Sequence, residues 1–434
     1  MPNFDVVIIG AGLAGLQCAK LLSRSGAKVL LVDRKHDLTK GIHTTGIFVR
    51  KTLEDFDFPA GTLGNPVRNV TLYSPKLRAL SLESEKDEFR VGKMGELYKS
   101  ILRECTANGV EFAKGTRYIK ARICSQLTGA QASRLHGRGS APSALRRRAI
   151  STARGFFALH AHASGPLALQ SKSVIVRLER NGEAFEVETK VLVGADGARS
   201  RVAKDLKLDE NEEWIVGYEE VFHNVPLYGQ AVLHCFLDAE IAPGYLAWIT
   251  NDGDQVHIGV GGYPAKFDPR EAINKFREKI APRFVDLSSA ELVETRGGSI
   301  PVGGILKRIA NENGLLIGDA AGAVSPLTAG GLDPCLRLSA MAARIIEERL
   351  RTGDPTVMLR FSGELFRARF ISRLWMRRII SIFTNQTVLE LGCALLRNSF
   401  GKRLAKHVFF GRGSFPNVDL IELNEAKLTS PPAQ

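Results

Sequence analysis

The sequence predicts a mixed α/β protein, in which a parallel-stranded unit is interleaved with an antiparallel sheet and followed by C-terminal helices. Three observations predict it. An apolar run at the very start ends in a glycine turn, then a helix, then a second apolar run. Two further apolar runs, ending near Gly194 and Gly318, open onto glycine turns of their own. Around them lie stretches of alternating apolar and polar residues, the period of half-buried strands.

The first element is the most informative. Val6-Val7-Ile8-Ile9 leads into Gly10-Ala11-Gly12-Leu13-Ala14-Gly15, a helix-compatible stretch follows from Leu16 to Ser25, and Val29 to Val32 ends on Asp33. Gly26 stands where a left-handed helix cap is needed. Each part has a physical task in holding a dinucleotide. Gly10 permits the tight turn, Gly12 lets the backbone approach a pyrophosphate, and Gly15 lets helix and strand pack closely. The helix N-terminus offers unpaired N–H groups and positive dipole to the phosphates. Asp33 can accept hydrogen bonds from a ribose. The complete strand–turn–helix–strand context makes this a Rossmann-like unit, whereas a bare glycine triplet would not.

Composition bounds the rest. The chain has 434 residues, 44% hydrophobic and 24% charged, which suits a soluble globular protein of two or three domains. The first residues carry no basic region before their apolar strand, so no signal peptide is expected. The nearly uncharged stretch Gly314 to Leu332 contains glycines, Pro326 and Asp319, which argue against a membrane span. Six scattered cysteines show no metal-ligand spacing, so no metal site is expected and a reducing, cytoplasmic setting fits. The net charge of +13 is concentrated: no acidic residue occurs between Glu111 and Glu179, a window that supplies nearly the whole excess. Residues 121–172 show no sustained periodicity and read as a disordered basic insert. A basic arm for RNA or anionic lipid is the alternative, and no specific nucleic-acid binding is expected.

The remaining elements follow in order. Gly41 to Ile47 reads as a flexible loop and Val67 to Val91 as strands. Met94 to Cys105 has helical spacing, and a strand is expected to end near Ile119. Val174 to Val187 forms a hairpin around Asn181-Gly182. It feeds the second glycine turn, Gly194-Ala195-Asp196-Gly197. Trp214 to Tyr263 reads as a largely antiparallel sheet and Pro269 to Phe284 as a helix. The third glycine element, Gly318-Asp319-Ala320-Ala321-Gly322, precedes Gly330-Gly331 and a helix from Leu332 to Leu350. Val357 to Phe410 is mostly helical and rich in arginine. Trp375, Ile379, Ile380 and Phe383 share a side there, with Arg373, Arg377 and Arg378 nearby. Docking on the protein's own body is the plainer reading of that region, and a membrane surface the alternative, making the chain peripheral to the membrane. The tail from Thr429 is expected to fray.

The three glycine motifs, with the lead-in Gly297-Gly298-Ser299-Ile300-Pro301, resemble those of FAD-dependent oxidoreductases of the geranylgeranyl reductase type, relatives of the aromatic-hydroxylase monooxygenases. The resemblance covers roughly 1–120 and 173–350. It implies a Rossmann-like FAD-binding domain (1–66, 93–120, 173–205 and 301–350) and an antiparallel-sheet substrate domain (67–92 and 206–300). A helical region spans 351–434. It further implies that Gly10, Gly12, Ala14 and Gly15 hold the pyrophosphate, Asp33 the adenosine ribose, and Asp319 the ribitol side. Gly331 and Leu332 would lie near the flavin, and Asp196 would touch the cofactor. Gly46 belongs to the loop that reads His43-Thr44-Thr45-Gly46 where the family has Cys-Gly-Gly-Gly, and Lys93 stands where the family has an arginine against the nucleotide. Tyr245 and Trp248 resemble the substrate-cavity strand. The expected function is reduction of an apolar, isoprenoid or lipid-like substrate with NADH or NADPH as electron donor. Hydroxylation by a flavoprotein monooxygenase is the alternative, and a non-catalytic protein binding anionic partners through the basic insert a more distant one. His43, His223, His234 and His257 are potential proton donors that read more readily as structural, so no catalytic residue is assigned.

Overall fold

Strand Asn3–Ile9 occupies the middle of an eight-stranded sheet because it is apolar on both faces and both must be covered. The computed structural model describes residues 1–125, 172–265, 267–367, 371–382 and 385–411. In it this strand pairs in parallel with Glu183–Gly194 on one side and Val29–Val32 on the other. The sheet continues outward through Gly314–Leu316 on the first side and Glu111–Ala113 on the second. Helix Leu13–Arg24 connects the first two strands and packs on helices Met94–Ala107 and Leu332–Thr352. Their apolar faces join the strands in the largest core of the molecule.

Two of the glycine turns meet here, backbone against backbone. Gly10 has φ +105°, and a Cβ there would run into the Ala195 carbonyl. Ala195 N–H donates to Ile9 O at 2.8 Å, which locks the second turn beside the first. Asn181 and Gly182 have φ of +53° and +82°, the left-handed pair that a two-residue hairpin turn requires.

The strand expected to end near Ile119 is longer than that. Thr116–Ser125 pairs antiparallel with Lys172–Arg180, from Thr116 opposite Arg180 to Ser125 opposite Lys172. It therefore ends at Ser125 and not near Ile119, and the first residues of the expected insert belong to a sheet. A bulge at Arg177/Leu178 breaks the two-residue period, which hid the continuation. Asp205 anchors it, accepting from Tyr118 Oη at 2.5 Å and from Ala121 N–H at 2.8 Å. Residues 126–171, Phe383 and the tail from Thr429 lie outside the described residues, as do the side chains of Ile379 and Ile380.

A seven-stranded sheet carries Glu291–Pro301, Trp214–His223, Val256–Gly262, Ala247–Asn251, Val232–Phe236, Asn69–Tyr73 and Ala79–Leu82, in that order. All its pairs are antiparallel except Val232–Phe236 with Asn69–Tyr73. Helix Pro269–Lys279 covers it, burying Ile273 and Phe276 against Phe236 and Ile258. A three-stranded sheet of Ile47–Val49, Phe89–Gly92 and Leu63–Val67 stands apart from both.

Helix Ile371–Ile382 docks on this body through its arginines, not away from them. Arg377, 2% exposed, lies over the rings of Tyr245 at 5.3 Å and Tyr263 at 4.9 Å. Arg373, one turn earlier, donates to Ser325 Oγ at 2.9 Å. Aromatic faces and a hydroxyl receive these cations, so Trp375 is left outward and 61% exposed.

Candidate functional site

All three glycine turns face one cavity of about 1090 Å³, just above the ~300–1,000 Å³ usual for small-molecule sites. Of the residues singled out in the sequence, Gly10, Gly12, Ala14, Asp33, Gly46, Asp196, Asp319, Gly331, Leu332, Tyr245 and Trp248 line it. Gly15 does not. A Cβ on Gly15 would strike the Gly10 carbonyl, so its place is the close contact of helix with strand. Lys93 is also outside the wall. It precedes helix Met94–Ala107, and its N–H is held by Thr62 O at 2.8 Å. Arg34, Lys35 and Arg117 reach the wall instead, next to the Asp33 end of its strand.

Helices Leu13–Arg24 and Leu332–Thr352 both begin on this cavity. Each is preceded by a glycine, Gly12 or Gly331, so no side chain caps it. The first-turn N–H groups and the positive end of each helix dipole therefore face the same space. A Cβ on Gly12 would meet no protein atom within 4 Å, so internal packing does not require a glycine there. The missing side chain leaves room beside the helix start, as a pyrophosphate needs. Asp33 is fixed by the turn it serves, its Oδ2 accepting from Ala11 N–H at 2.7 Å and its Oδ1 from Lys35 N–H at 2.8 Å. These groups fit the phosphates and ribose of FAD.

The second and third turns are tied together by Asn211, whose Nδ2 donates to Ala198 O at 3.0 Å and Asp319 O at 2.9 Å. Asp319 faces the enclosed space, and burial raises its carboxyl to about 6. The Asp196 carboxylate has a local task. It accepts from Ser200 Oγ at 2.6 Å and Arg201 N–H at 2.7 Å, shaping the turn before helix Arg201–Asp205, while burial raises its pKa. Asp333, in the first turn of the long helix, is held by Thr52 Oγ1 at 2.9 Å and by the buried Arg337 at 2.9 Å.

The opposite composition lines the remainder of the wall. Strand Val256–Gly262 alternates glycine on one face, and the rings of Trp248 and Tyr245 occupy the places of side chains at Gly259 and Gly261. Leu72, Leu233 and Leu237 join them, with Leu396, Val408 and Phe409 from the C-terminal helices. Tyr245 Oη donates to Thr328 O at 2.8 Å, linking this wall to the loop before the long helix.

Behind Trp248 lies a charged cluster that sequence reasoning missed. Glu219, 2% exposed, accepts from Trp248 Nε1 at 3.0 Å, from Thr45 Oγ1, and from Arg296 Nη1 at 3.4 Å. Its Oε1 is also 3.2 Å from Nδ1 of the buried His257. On the far side, Asp252 Oδ2 stands 3.9 Å from His257 Nε2. Burial alone would raise Glu219, but His257, Arg296 and Thr45 hold its carboxyl below the usual range. Burial would lower His257, yet the Asp252 and Glu219 carboxylates on its two sides bring its pKa above the ordinary value. Asp252 is held down to about 2, where burial is outweighed by His257 and by the N–H groups of Gln255 and Asp254.

The other histidines divide. His43 lines the cavity and its Nδ1 lies 2.6 Å from Gly297 O. His223 pairs with Asp254 at 3.5 Å outside the cavity wall, and His234 is half-buried beside Tyr73, where desolvation lowers its pKa to about 4. Among the described residues no group of His, Cys, Asp and Glu is arranged to hold a metal ion.

Residues 146–372, more than half of the chain, match the FAD binding domain family, and residues 4–217 match the pyridine nucleotide-disulphide oxidoreductase family. The chain is 24% identical to the digeranylgeranylglycerophospholipid reductase of Methanothrix thermoacetophila, over 81% of this chain and 80% of that one. It is 25% identical to the enzyme of the same name from Methanocaldococcus jannaschii, over 81% and 78%. Its fold is similar to a geranylgeranyl bacteriochlorophyll reductase-like protein of Thermoplasma acidophilum, with TM-score 0.72, 15% identity, and 98% and 100% of the chains covered. It is also similar to aklavinone-11 hydroxylase, solved with FAD and aklavinone, with TM-score 0.58, 17% identity, and 87% and 69% covered.

Proposed function

The chain belongs to the FAD binding domain family of oxidoreductases, and from that premise we propose that it reduces a carbon–carbon double bond of an isoprenoid, lipid-like substrate with NADH or NADPH as electron donor. One observation carries this reading: a single cavity joins two uncapped helix starts to a wall of Trp248, Tyr245, leucines and phenylalanine. The first arrangement suits a dinucleotide and the second an apolar chain. The relatives named for reducing geranylgeranyl lipids support the same substrate class.

FAD, when bound, supplies the two-electron chemistry that this protein's side chains lack. In this assignment Gly10, Gly12 and Ala14 present the first helix start to the pyrophosphate, and Asp33 the ribose. Asp319 takes the ribitol side, and Gly331 with Leu332 brings the second helix start to the flavin end, where its dipole favours negative charge. Gly46 leaves the loop close beside them. Segments 1–66, 93–125, 172–205 and 301–350 form the cofactor domain, and 67–92 with 206–300 the substrate domain. Tyr245 and Trp248 set the shape of the substrate wall and exclude water from it.

The test is to follow NADPH oxidation by the purified protein with a geranylgeranyl lipid, with and without oxygen. Loss of the substrate's double bonds under anaerobic conditions supports the reductase. Substrate-dependent oxygen consumption with a hydroxylated product would replace it by the monooxygenase reading, which the likeness to aklavinone-11 hydroxylase favours.

A further inference from the structure

Exposed large apolar side chains gather on the C-terminal helices. On helix Gln386–Leu396, Val388, Leu391 and Leu395 repeat at the spacing of one helical face and are 43%, 64% and 63% exposed. That helix is rich in leucine yet buries none of its residues. Helix Ser399–Phe410, which packs beside it, adds Phe400 and Leu404, 76% and 40% exposed. Exposed apolar side chains gathered on two packed helices point to an interaction site.

The charges around it point to one occupant. In residues 385–411 the only carboxylate is Glu390, and it is turned onto the body, accepting from Lys76 N–H at 3.1 Å and lying 3.7 Å from Arg78. Lys402 and Arg403 are exposed on the helix that carries Phe400 and Leu404, while Lys406 reaches back to Glu83 O at 3.0 Å. An apolar face rimmed by cations complements the headgroups and acyl boundary of an anionic bilayer. Among the described residues no helix is long and apolar enough to cross a membrane, so the contact is with its surface.

We propose that this face docks the protein on membranes containing anionic lipid and holds the cavity mouth against them. Leu404 is part of the exposed face and also of the cavity wall, and Leu396 and Val408 line the cavity from the same two helices. A lipid-like substrate then passes between bilayer and cavity along apolar surface. This route rests on the substrate class proposed above, whereas docking itself is measured without turnover.

The experiment uses the full-length, flavin-loaded protein and its sedimentation with vesicles of phosphatidylcholine alone or mixed with phosphatidylglycerol. Measurements are made in about 0.15 M salt, where screening acts beyond roughly 8 Å. Wild type is expected to sediment with the mixed vesicles. A Leu391→Glu/Phe400→Glu double variant should bind roughly tenfold or more weakly with its flavin spectrum and melting temperature unchanged. It leaves 126–171 intact, so equal binding by variant and wild type would assign the attraction to that basic segment and overturn the proposal. Wild-type self-association that the double variant abolishes, without vesicle binding by either, would make the face a contact between copies and also overturn it. Should the double variant misfold, Lys402→Glu/Arg403→Glu reads the same face: loss of the preference for mixed vesicles supports docking, and an unchanged preference contradicts it.

Discussion

Trp248 Nε1 donates to Glu219 Oε2 at 3.0 Å, so the aromatic wall of the cavity is fastened to a buried carboxylate. The same carboxylate receives Thr45, from the loop that carries Gly46, and Arg296. Loop, aromatic wall and the strand ending in Pro301 are thus held at one point.

Glu219→Gln keeps the shape and removes the charge, leaving Arg296 and His257 facing each other without it. Removing one partner of a buried charged group costs about 3–5 kcal/mol, and denaturant unfolding should show a loss of that order. Trp248→Ala should impair turnover while leaving flavin content nearly intact. Equal loss of flavin and turnover would make Trp248 a structural residue of the core.

The cluster also fixes a pH dependence. His257 has a raised pKa in the fold, so the stability it contributes is full below its unfolded value, about 6.5, and is lost as pH rises through the folded one. Asp252 acts at the other end: lowered from 3.8 to about 2, it contributes above 3.8 and is lost as pH falls toward 2. Between these limits, wild type should exceed His257→Gln in melting temperature most in mild acid. The difference should shrink as pH rises above about 6.5. A difference independent of pH would show that His257 is not held charged.

The parts of the fold that short stretches encode were readable from sequence. Each glycine turn is a local pattern, and Asn181-Gly182 specifies its hairpin without help from elsewhere. The Glu219 cluster was not readable, because Thr45, Trp248, His257 and Arg296 come from four separate segments. Glu219-Glu220 in the middle of a strand resembles a solvent-facing pair. In fact both faces are covered, with Glu220 pairing with Arg277 at 2.8 Å on the other side. Lys93 lies outside the cavity wall, while Arg34, Lys35 and Arg117 line it: likeness of position in a motif does not by itself bring a residue to the wall.

Deleting 126–171 and joining Ser125 to Lys172 by a short turn should leave a folded, flavin-loaded enzyme. Ser125 and Lys172 are already opposite each other in the sheet, and a hairpin turn can close them at little entropic cost. Loss of the cooperative melt or of the flavin would assign the segment to the fold.

The most direct test of the cofactor assignment is the visible absorbance of purified Gly12→Val beside wild type. A Cβ at Gly12 meets no protein atom within 4 Å, so the variant should fold and melt cooperatively. Its side chain would nevertheless stand at the uncapped helix start where the pyrophosphate is assigned. Wild type should carry bound FAD, and Gly12→Val should be folded and nearly free of it. A folded Gly12→Val protein with full flavin occupancy would contradict the assignment.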